Sequence, residues 1–231
     1  MSPAVSLALA TTAFVGTHIA MSHPLRAGLV ARLGEGRFTG LYSLIAVLTL
    51  GWMIWVWPEP HETPPLWLAP VWWLPIASAL TLIASILLIG GLRGNPAFPR
   101  PGAPPRAIGP AKGVYAITRH PMNNSFMLWA LTHVSLSGSA RNLIVAGGIF
   151  LLGLAGSLGQ DRKKEKLLGD VWRDWEERTS FVPFAALAQG KVALRDCWPG
   201  AIPLVGGLVL WALVTSYHAP LVSPLGDLLS F

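Results

Sequence analysis

Histidines carry most of the side-chain chemistry that this sequence offers, and two of the six, His18 and His133, stand inside long apolar stretches. An ionisable group in a membrane helix is usually retained for function, although a neutral histidine can also simply bond to a neighbouring helix. Two neutral imidazoles on facing helices can hold one haem iron. The stretches that carry His18 and His133 contain no Asp or Glu. The pattern therefore favours haem b over a bare metal ion, with His23 as an alternative first ligand.

A second polar motif, Thr118-Arg119-His120-Pro121, stands where a basic segment enters an apolar stretch. Proline suits the first turn of a helix, so Pro121 predicts a helix start and places His120 at the helix cap. Arg119 and His120 can bind an anionic group at the positive end of this helix, or they can anchor the chain at lipid headgroups. Residue chemistry alone favours the headgroup anchor, and both interpretations stay open.

Apolar helices must position these groups. Hydrophobic residues make up 52% of the 231 and charged residues 12%, against about 25% charged residues in a soluble domain. A bilayer core of about 30 Å needs roughly 20 apolar residues per helix. Six stretches qualify, at 3–22, 38–57, 69–92, 122–138, 142–160 and 200–218. Because helices close their own backbone hydrogen bonds in lipid, the sequence predicts an all-α, polytopic transmembrane bundle of six helices in one domain, 1–231.

The distribution of positive charge predicts the orientation of this bundle. Three alternate loops, 23–37, 93–120 and 161–199, hold 16 of the 17 Lys and Arg residues, while the loop 58–68 holds only acidic charges. The positive-inside rule places the basic loops in the cytoplasm and both termini in the periplasm of a bacterial inner membrane. Topology thus accounts for the net charge of +6, and no nucleic-acid partner is expected. The first stretch has no basic residue before it, which favours a retained helix over a signal peptide.

Two further patterns refine the fold. Apolar residues recur at helical spacing between 162 and 178, at Leu168, Val171, Trp172 and Trp175. Charged residues separate them, so this segment is predicted to be a helix lying on the cytoplasmic membrane surface. Cys197 is the single cysteine, which excludes an internal disulfide bond, and the lack of a Cys-x-x-Cys-His motif excludes covalent c-type haem.

Taken together, these motifs resemble the NnrU family of integral membrane proteins over about residues 12–190. The resemblance rests on His18, Ser22 to Arg26, Gly34-Glu35, Tyr42-Ser43-Leu44, Ala116 to Pro121, Trp129 to His133, Asp161-Arg162, Trp172, Trp175 and Arg178 to Phe184. The family includes 15-cis-zeta-carotene isomerase, a membrane enzyme that uses haem b with two axial histidines, and proteins associated with denitrification gene clusters. By this resemblance the axial ligands correspond to His18 and His133.

The resemblance implies a haem-dependent cis–trans isomerase of a hydrophobic polyene, or a role in nitrogen-oxide metabolism. Membrane lipid and a hydrophobic small molecule are the expected partners, and no protein partner is indicated.

A second resemblance is to isoprenylcysteine carboxyl methyltransferases. It rests on Arg119-His120-Pro121, Glu165 and the run from Arg178 to Pro183, and it implies S-adenosylmethionine in a cytoplasmic pocket. Met122, Asn123 and Asn124 replace the aromatic residue and glycine that follow the motif there. A cofactor-free assembly factor for a respiratory enzyme is the third alternative.

Overall fold

The computed structural model describes residues 1–57, 64–97 and 108–218. Its helices are α1 (Pro3–Ser22), α2 (Arg26–Leu33), α3 (Glu35–Val56), α4 (Leu74–Gly91), α5 (Val114–Ile117), α6 (Pro121–Leu136), α7 (Ala140–Leu168), α8 (Asp170–Arg178), α9 (Ala185–Ala188) and α10 (Ala201–Tyr217). Short 3-10 turns cover Val71–Trp73 and Leu194–Cys197. The described residues contain no strand beyond an isolated bridge between Leu68 and Ser137, so the predicted all-α class is confirmed.

Within the described residues, four helices are long and apolar enough to cross a membrane: Pro3–Ser22, Glu35–Val56, Val71–Gly91 and Ala140–Leu168. The six predicted stretches all form helices, and the bounds of the first agree with the prediction at both ends. However, α6 has 16 residues and α10 has 17, which is shorter than the roughly 20 residues that a span needs. The acidic residues of the predicted outer loop, Glu59 and Glu62, lie outside the described residues.

The described chain divides into two compact units. The first comprises Met1–Ala69 and Ala130–Gly159. Its apolar core joins α1, α3 and α7 through Leu7, Ala10, Met53, Val56 and Val145. Small residues allow α1 and α7 to approach closely, because a Cβ at Gly148 would overlap the Thr11 side chain. This is the small-residue packing expected between membrane helices.

The second unit comprises Pro70–Trp129 and Gln160–Phe231. Its long helices α4 and α10 pack tightly, since a Cβ at Gly207 would lie 2.7 Å from the Ile86 Cα. The start of α6 packs on the end of α4 in the same way: a Cβ at Gly91 would lie 2.7 Å from the Met122 backbone nitrogen. These two contacts fix the position of the motif that precedes α6.

The predicted surface helix at 162–178 is wrong in two respects. The segment is helical but is broken at Gly169, whose φ of 53° ends α7 and starts α8. Its tryptophans do not face lipid: Trp172 and Trp175 are 0% and 1% exposed and pack with Ala97 and Ala111. Helical periodicity identified an apolar face correctly, but it does not say whether lipid or the rest of the chain covers that face.

Candidate functional site

The Thr118-Arg119-His120 turn between α5 and α6 is fastened to a distant part of the chain. Thr118 is extended (φ −157°, ψ 147°), and its hydroxyl donates to the Phe181 carbonyl at 2.8 Å. The same oxygen accepts from the amide of Asn124 at 3.0 Å. The backbone N–H of Arg119 donates to the Ser180 carbonyl at 2.9 Å. A buried hydroxyl at position 118 thus joins this turn to the segment that follows α8, as buried polar groups require.

Asp161, near the end of α7, accepts from both polar residues of the motif. Its Oδ2 lies 3.0 Å from Arg119 Nε and 2.7 Å from an Arg119 terminal nitrogen. Its Oδ1 lies 2.8 Å from His120 Nε2. The side chains of Arg119, His120 and Asp161 are 14%, 1% and 12% exposed. The three form a nearly dry ion cluster, in which charge-assisted hydrogen bonds are strong and any loss of a partner is costly.

Glu176 of α8 is the fourth member of this cluster. Its carboxylate lies 3.5 Å from Arg119, whose guanidinium also stands over the Phe181 ring at 6.0 Å. Burial, and then the negative charge of Asp161, raise the pKa of Glu176 above its ordinary value. The Arg119 charge opposes this shift but does not reverse it. Glu176 therefore keeps a proton more readily than an exposed glutamate does.

The second ring nitrogen of His120, Nδ1, is buried and has no hydrogen-bond partner. Because Nε2 faces a carboxylate, it carries a proton, so in the neutral ring the lone pair is on Nδ1. In many proteins a carboxylate bonds one ring nitrogen of a histidine while the other ring nitrogen ligates a metal or acts as a general base. A buried polar atom without a partner in an otherwise satisfied cluster marks His120 as a functional candidate.

His18 is held in a defined orientation within the first unit. Its Nδ1 lies 2.8 Å from the Phe14 carbonyl one turn earlier in α1, which requires a proton on Nδ1. The ring packs edge-on against Tyr42 at 5.3 Å, and the Tyr42 hydroxyl accepts from Ser22 at 3.2 Å. A neutral ring that donates from Nδ1 has its lone pair on Nε2, which is the usual arrangement of a metal-bound histidine.

The other predicted site residues divide between the two units. His23 and His133 lie with His18 in the first unit, whereas Arg119 and His120 lie in the second. A Cβ at Gly159 would overlap the His23 ring, so that ring packs directly on the α7 backbone. The backbone carbonyl of His133 accepts from the Asn142 amide at 3.2 Å. Within the described residues, no three His, Cys, Asp or Glu side chains converge in a manner that would hold a bare metal ion.

Two members of the cluster, Asp161 and Glu176, were not predicted as site residues. The signal for Asp161 was present, because it is the first carboxylate at the end of a long apolar helix. Two residues of the methyltransferase alternative, Glu165 and Arg178, lie outside the cluster. Glu165 pairs with Arg173 at 3.1 Å, and Arg178 pairs with Asp174 at 2.7 Å. Both are exposed ion pairs on the helix surface rather than members of the cluster.

Comparison with known proteins places this arrangement in a family. The family model described as NnrU protein matches residues 6–224. The chain belongs to the NnrU family. This NnrU chain is 32% identical over 84 residues to the chloroplastic 15-cis-zeta-carotene isomerase of Arabidopsis thaliana, covering 36% of the chain and 23% of that relative.

A second relative of this NnrU protein is the chloroplastic 15-cis-zeta-carotene isomerase of Zea mays. It is 30% identical over 82 residues, which cover 36% of the chain and 22% of the relative. The matched region thus spans less than a quarter of each curated relative. No solved structure matches the chain significantly. The predicted family, and its relation to the carotene isomerases, are confirmed.

Proposed function

We propose that this chain is a membrane-embedded, haem b-dependent cis–trans isomerase of a hydrophobic polyene. The observation that carries the proposal is the orientation of His18: the Nδ1–H bond to the Phe14 carbonyl reserves Nε2 for a ligand. The names of the two relatives supply the reaction class, since both are 15-cis-zeta-carotene isomerases. A role in nitrogen-oxide metabolism remains the alternative use of the same haem.

The residues present fit a haem b. In this proposal His18 and His133 would hold the haem iron, and both belong to the first compact unit. Tyr42 packs against one side of the His18 ring and limits its rotation. Phe14 packs against the same ring, with ring centroids 4.3 Å apart. An aromatic surrounding of this kind suits a macrocycle better than it suits a hydrated metal ion.

The chemistry of isomerisation divides between the cofactor and the chain. When bound, haem b supplies an iron centre that lends electron density to the conjugated chain, so rotation about a cis double bond needs no net oxidation. The protein orients the ligand rings, excludes water through the apolar residues of α1 and α3, and admits a lipid-soluble substrate laterally from the bilayer. The side chains of α3 that remain exposed in this unit are largely apolar, among them Leu44, Val47 and Leu48 at 56%, 66% and 62%.

The proposal includes a topology for the whole chain. Six helices, among them the shorter α6 and α10, cross a bacterial inner membrane with both termini in the periplasm. The basic segments 23–37, 93–120 and 161–199 then face the cytoplasm. Alkaline phosphatase and green fluorescent protein fusions after residues 34, 64, 110, 138 and 190 test the orientation. Phosphatase activity is expected only at 64 and 138.

Haem retention is the direct test of the site. The chain, purified in mild detergent from a haem-replete host, should show a Soret band and distinct α and β bands after reduction by dithionite. His18→Ala and His133→Ala should each abolish this low-spin spectrum. His218→Ala is the matched control, because His218 makes the same Nδ1 bond to the carbonyl four residues earlier, at 2.9 Å, but on an exposed surface.

The variants also separate the alternatives. Loss of haem from His23→Ala with retention in His18→Ala would assign the first ligand to His23. Full haem content and full isomerisation of a 15-cis polyene by His133→Ala would refute the ligand assignment. Haem binding without isomerisation, together with turnover of nitric oxide, would move the function to nitrogen-oxide metabolism.

A further inference from the structure

A cavity of about 380 Å³ opens at one end of the α4–α10 pair in the second unit. Its lining includes Arg93 and Lys112 as the charged residues, and among the described residues that line it none is acidic. Both cationic side chains are exposed. The volume falls within the range of small-molecule sites, about 300–1,000 Å³. The cavity is therefore large enough for a polar headgroup, and its described lining carries positive charge with no acidic side chain.

Hydrogen bonds anchor the backbone at or beside the two cationic residues of the cavity, Arg93 and Lys112. The Tyr115 hydroxyl donates to the carbonyl of Arg93 at 2.9 Å and so fixes the chain beyond the end of α4. The amide of Gly113, next to Lys112, donates to the Asp196 carbonyl at 2.7 Å. Asp196 itself does not line the cavity, and its carboxylate accepts from the backbone N–H of Ala193 at 3.1 Å. Hydrogen bonds thus tie the backbone at or beside both cationic residues to other parts of the second unit.

Most of the remaining lining of the cavity is apolar, and exposed apolar residues lie next to it in the chain. Val114, Ile202 and Pro203 line it. Ile202 is 55% exposed, and Leu92 and Val205 near the rim are 52% and 57% exposed. α4 belongs to a span of membrane length, and α10 is an apolar helix of 17 residues packed against it. The polar end of a ligand in this cavity would contact the positive charges of Arg93 and Lys112. Its apolar part would contact the surface of α4 and α10.

We infer that the cavity lined by Arg93, Lys112 and Ile202 binds the phosphate headgroup of an anionic phospholipid, with the acyl chains lying along α4 and α10. Basic pockets between membrane helices bind such headgroups, and each nearby Lys or Arg strengthens the attraction. A soluble phosphate compound shares the headgroup chemistry but leaves the apolar side without a partner. The inference does not depend on haem or on isomerase activity.

The test compares lipids and charge variants in the purified full chain. The protein is delipidated in neutral detergent and titrated with phosphatidylglycerol or phosphatidylcholine, and bound lipid is counted by native mass spectrometry. Wild-type protein should prefer phosphatidylglycerol. Arg93→Gln with Lys112→Gln should weaken that binding roughly 30-fold, which is about fivefold for each cation. Both residues are exposed, so the substitutions leave the packed helices intact.

The control removes the same charge outside the cavity. Lys191→Gln with Arg195→Gln lies in the neighbouring exposed segment and should change phosphatidylglycerol affinity less than about twofold. Equal losses in the two double variants, or equal wild-type affinity for both lipids, would overturn the inference. Displacement of phosphatidylglycerol by inorganic phosphate at matching concentrations would overturn the lipid assignment in favour of a soluble phosphate compound.

Discussion

Replacement of Asp161 with alanine removes the acceptor that Arg119 and His120 share. Three hydrogen bonds of 2.7 to 3.0 Å end on this carboxylate. The Arg119 and His120 side chains are 14% and 1% exposed, so water does not replace the lost acceptor. Removing one partner of a buried charge pair costs about 3–5 kcal/mol. Glu176 lies 3.5 Å from Arg119 and offers a partial substitute, so we expect about 3 kcal/mol.

The matched control is Asp170→Ala, which deletes the same side chain from an exposed pair. Asp170 lies 2.8 Å from Arg173, and the two side chains are 96% and 58% exposed. Such a pair contributes no more than about 1 kcal/mol. Unfolding in mixed micelles of sodium dodecyl sulfate and a mild detergent, followed by tryptophan fluorescence and helical ellipticity, measures both variants. Equal losses of stability would refute the claim that burial makes the Asp161 cluster costly to break.

Asp161→Asn separates the charge of the side chain from its shape. The amide oxygen can still accept one hydrogen bond, from either Arg119 or His120, but the negative charge is gone. We expect a loss of stability between those of Asp170→Ala and Asp161→Ala. A loss as large as that of Asp161→Ala would mean that charge, rather than hydrogen bonding, dominates the cluster.

Four further predictions concern Glu176, two helix glycines and the binding of S-adenosylmethionine. Glu176→Gln should come closest to wild-type stability at pH values below the ordinary pKa of glutamate, and its stability should gain on that of wild type as pH rises. The raised folded pKa of Glu176, caused by burial and then by Asp161, means that the protonated glutamate stabilises the fold and that this contribution is lost as pH rises. Gly207→Ala should cost about 1–3 kcal/mol in the same unfolding assay by forcing α10 away from the Ile86 backbone. Gly51→Ala, which meets open space, should be neutral or gain up to about 1 kcal/mol. Isothermal titration with S-adenosylmethionine should show no heat of binding, and micromolar affinity would favour the methyltransferase alternative.

Hydrophobic runs predicted the helices well, because a membrane helix is specified by its own residues. The first run, 3–22, coincides with α1, and the fourth, 122–138, differs from α6 by two residues or fewer at each end. The break at Gly169 was missed since one glycine is tolerated in many helices, and only its φ of 53° shows that the chain turns there. The burial of Trp172 was missed because periodicity does not identify what covers a helix face.

The candidate site was predictable only in part. Arg119 and His120 are predicted as candidate site residues because two polar residues precede an apolar helix at Pro121. Their partner Asp161 is more than 40 residues away in sequence, and local spacing carries no information about which loops meet. The apolar surroundings of His18 predict it as a site residue, but the bond from Nδ1 to the Phe14 carbonyl, which sets its tautomer, is evident only in the folded structure.

Charge compensation decides which basic residues of this chain are suited to an anionic ligand. Arg119 stands in a motif that invites an anion-binding interpretation, yet its guanidinium already contacts the carboxylates of Asp161 and Glu176. An anion would have to displace a bonded carboxylate there and would repel the other. Arg93 and Lys112 belong to no motif that predicts a site, but the described lining of their cavity holds no carboxylate. Binding an anion at that cavity breaks no ion pair within the described part of the chain. We therefore expect Arg93 and Lys112, rather than Arg119, to bind a headgroup phosphate.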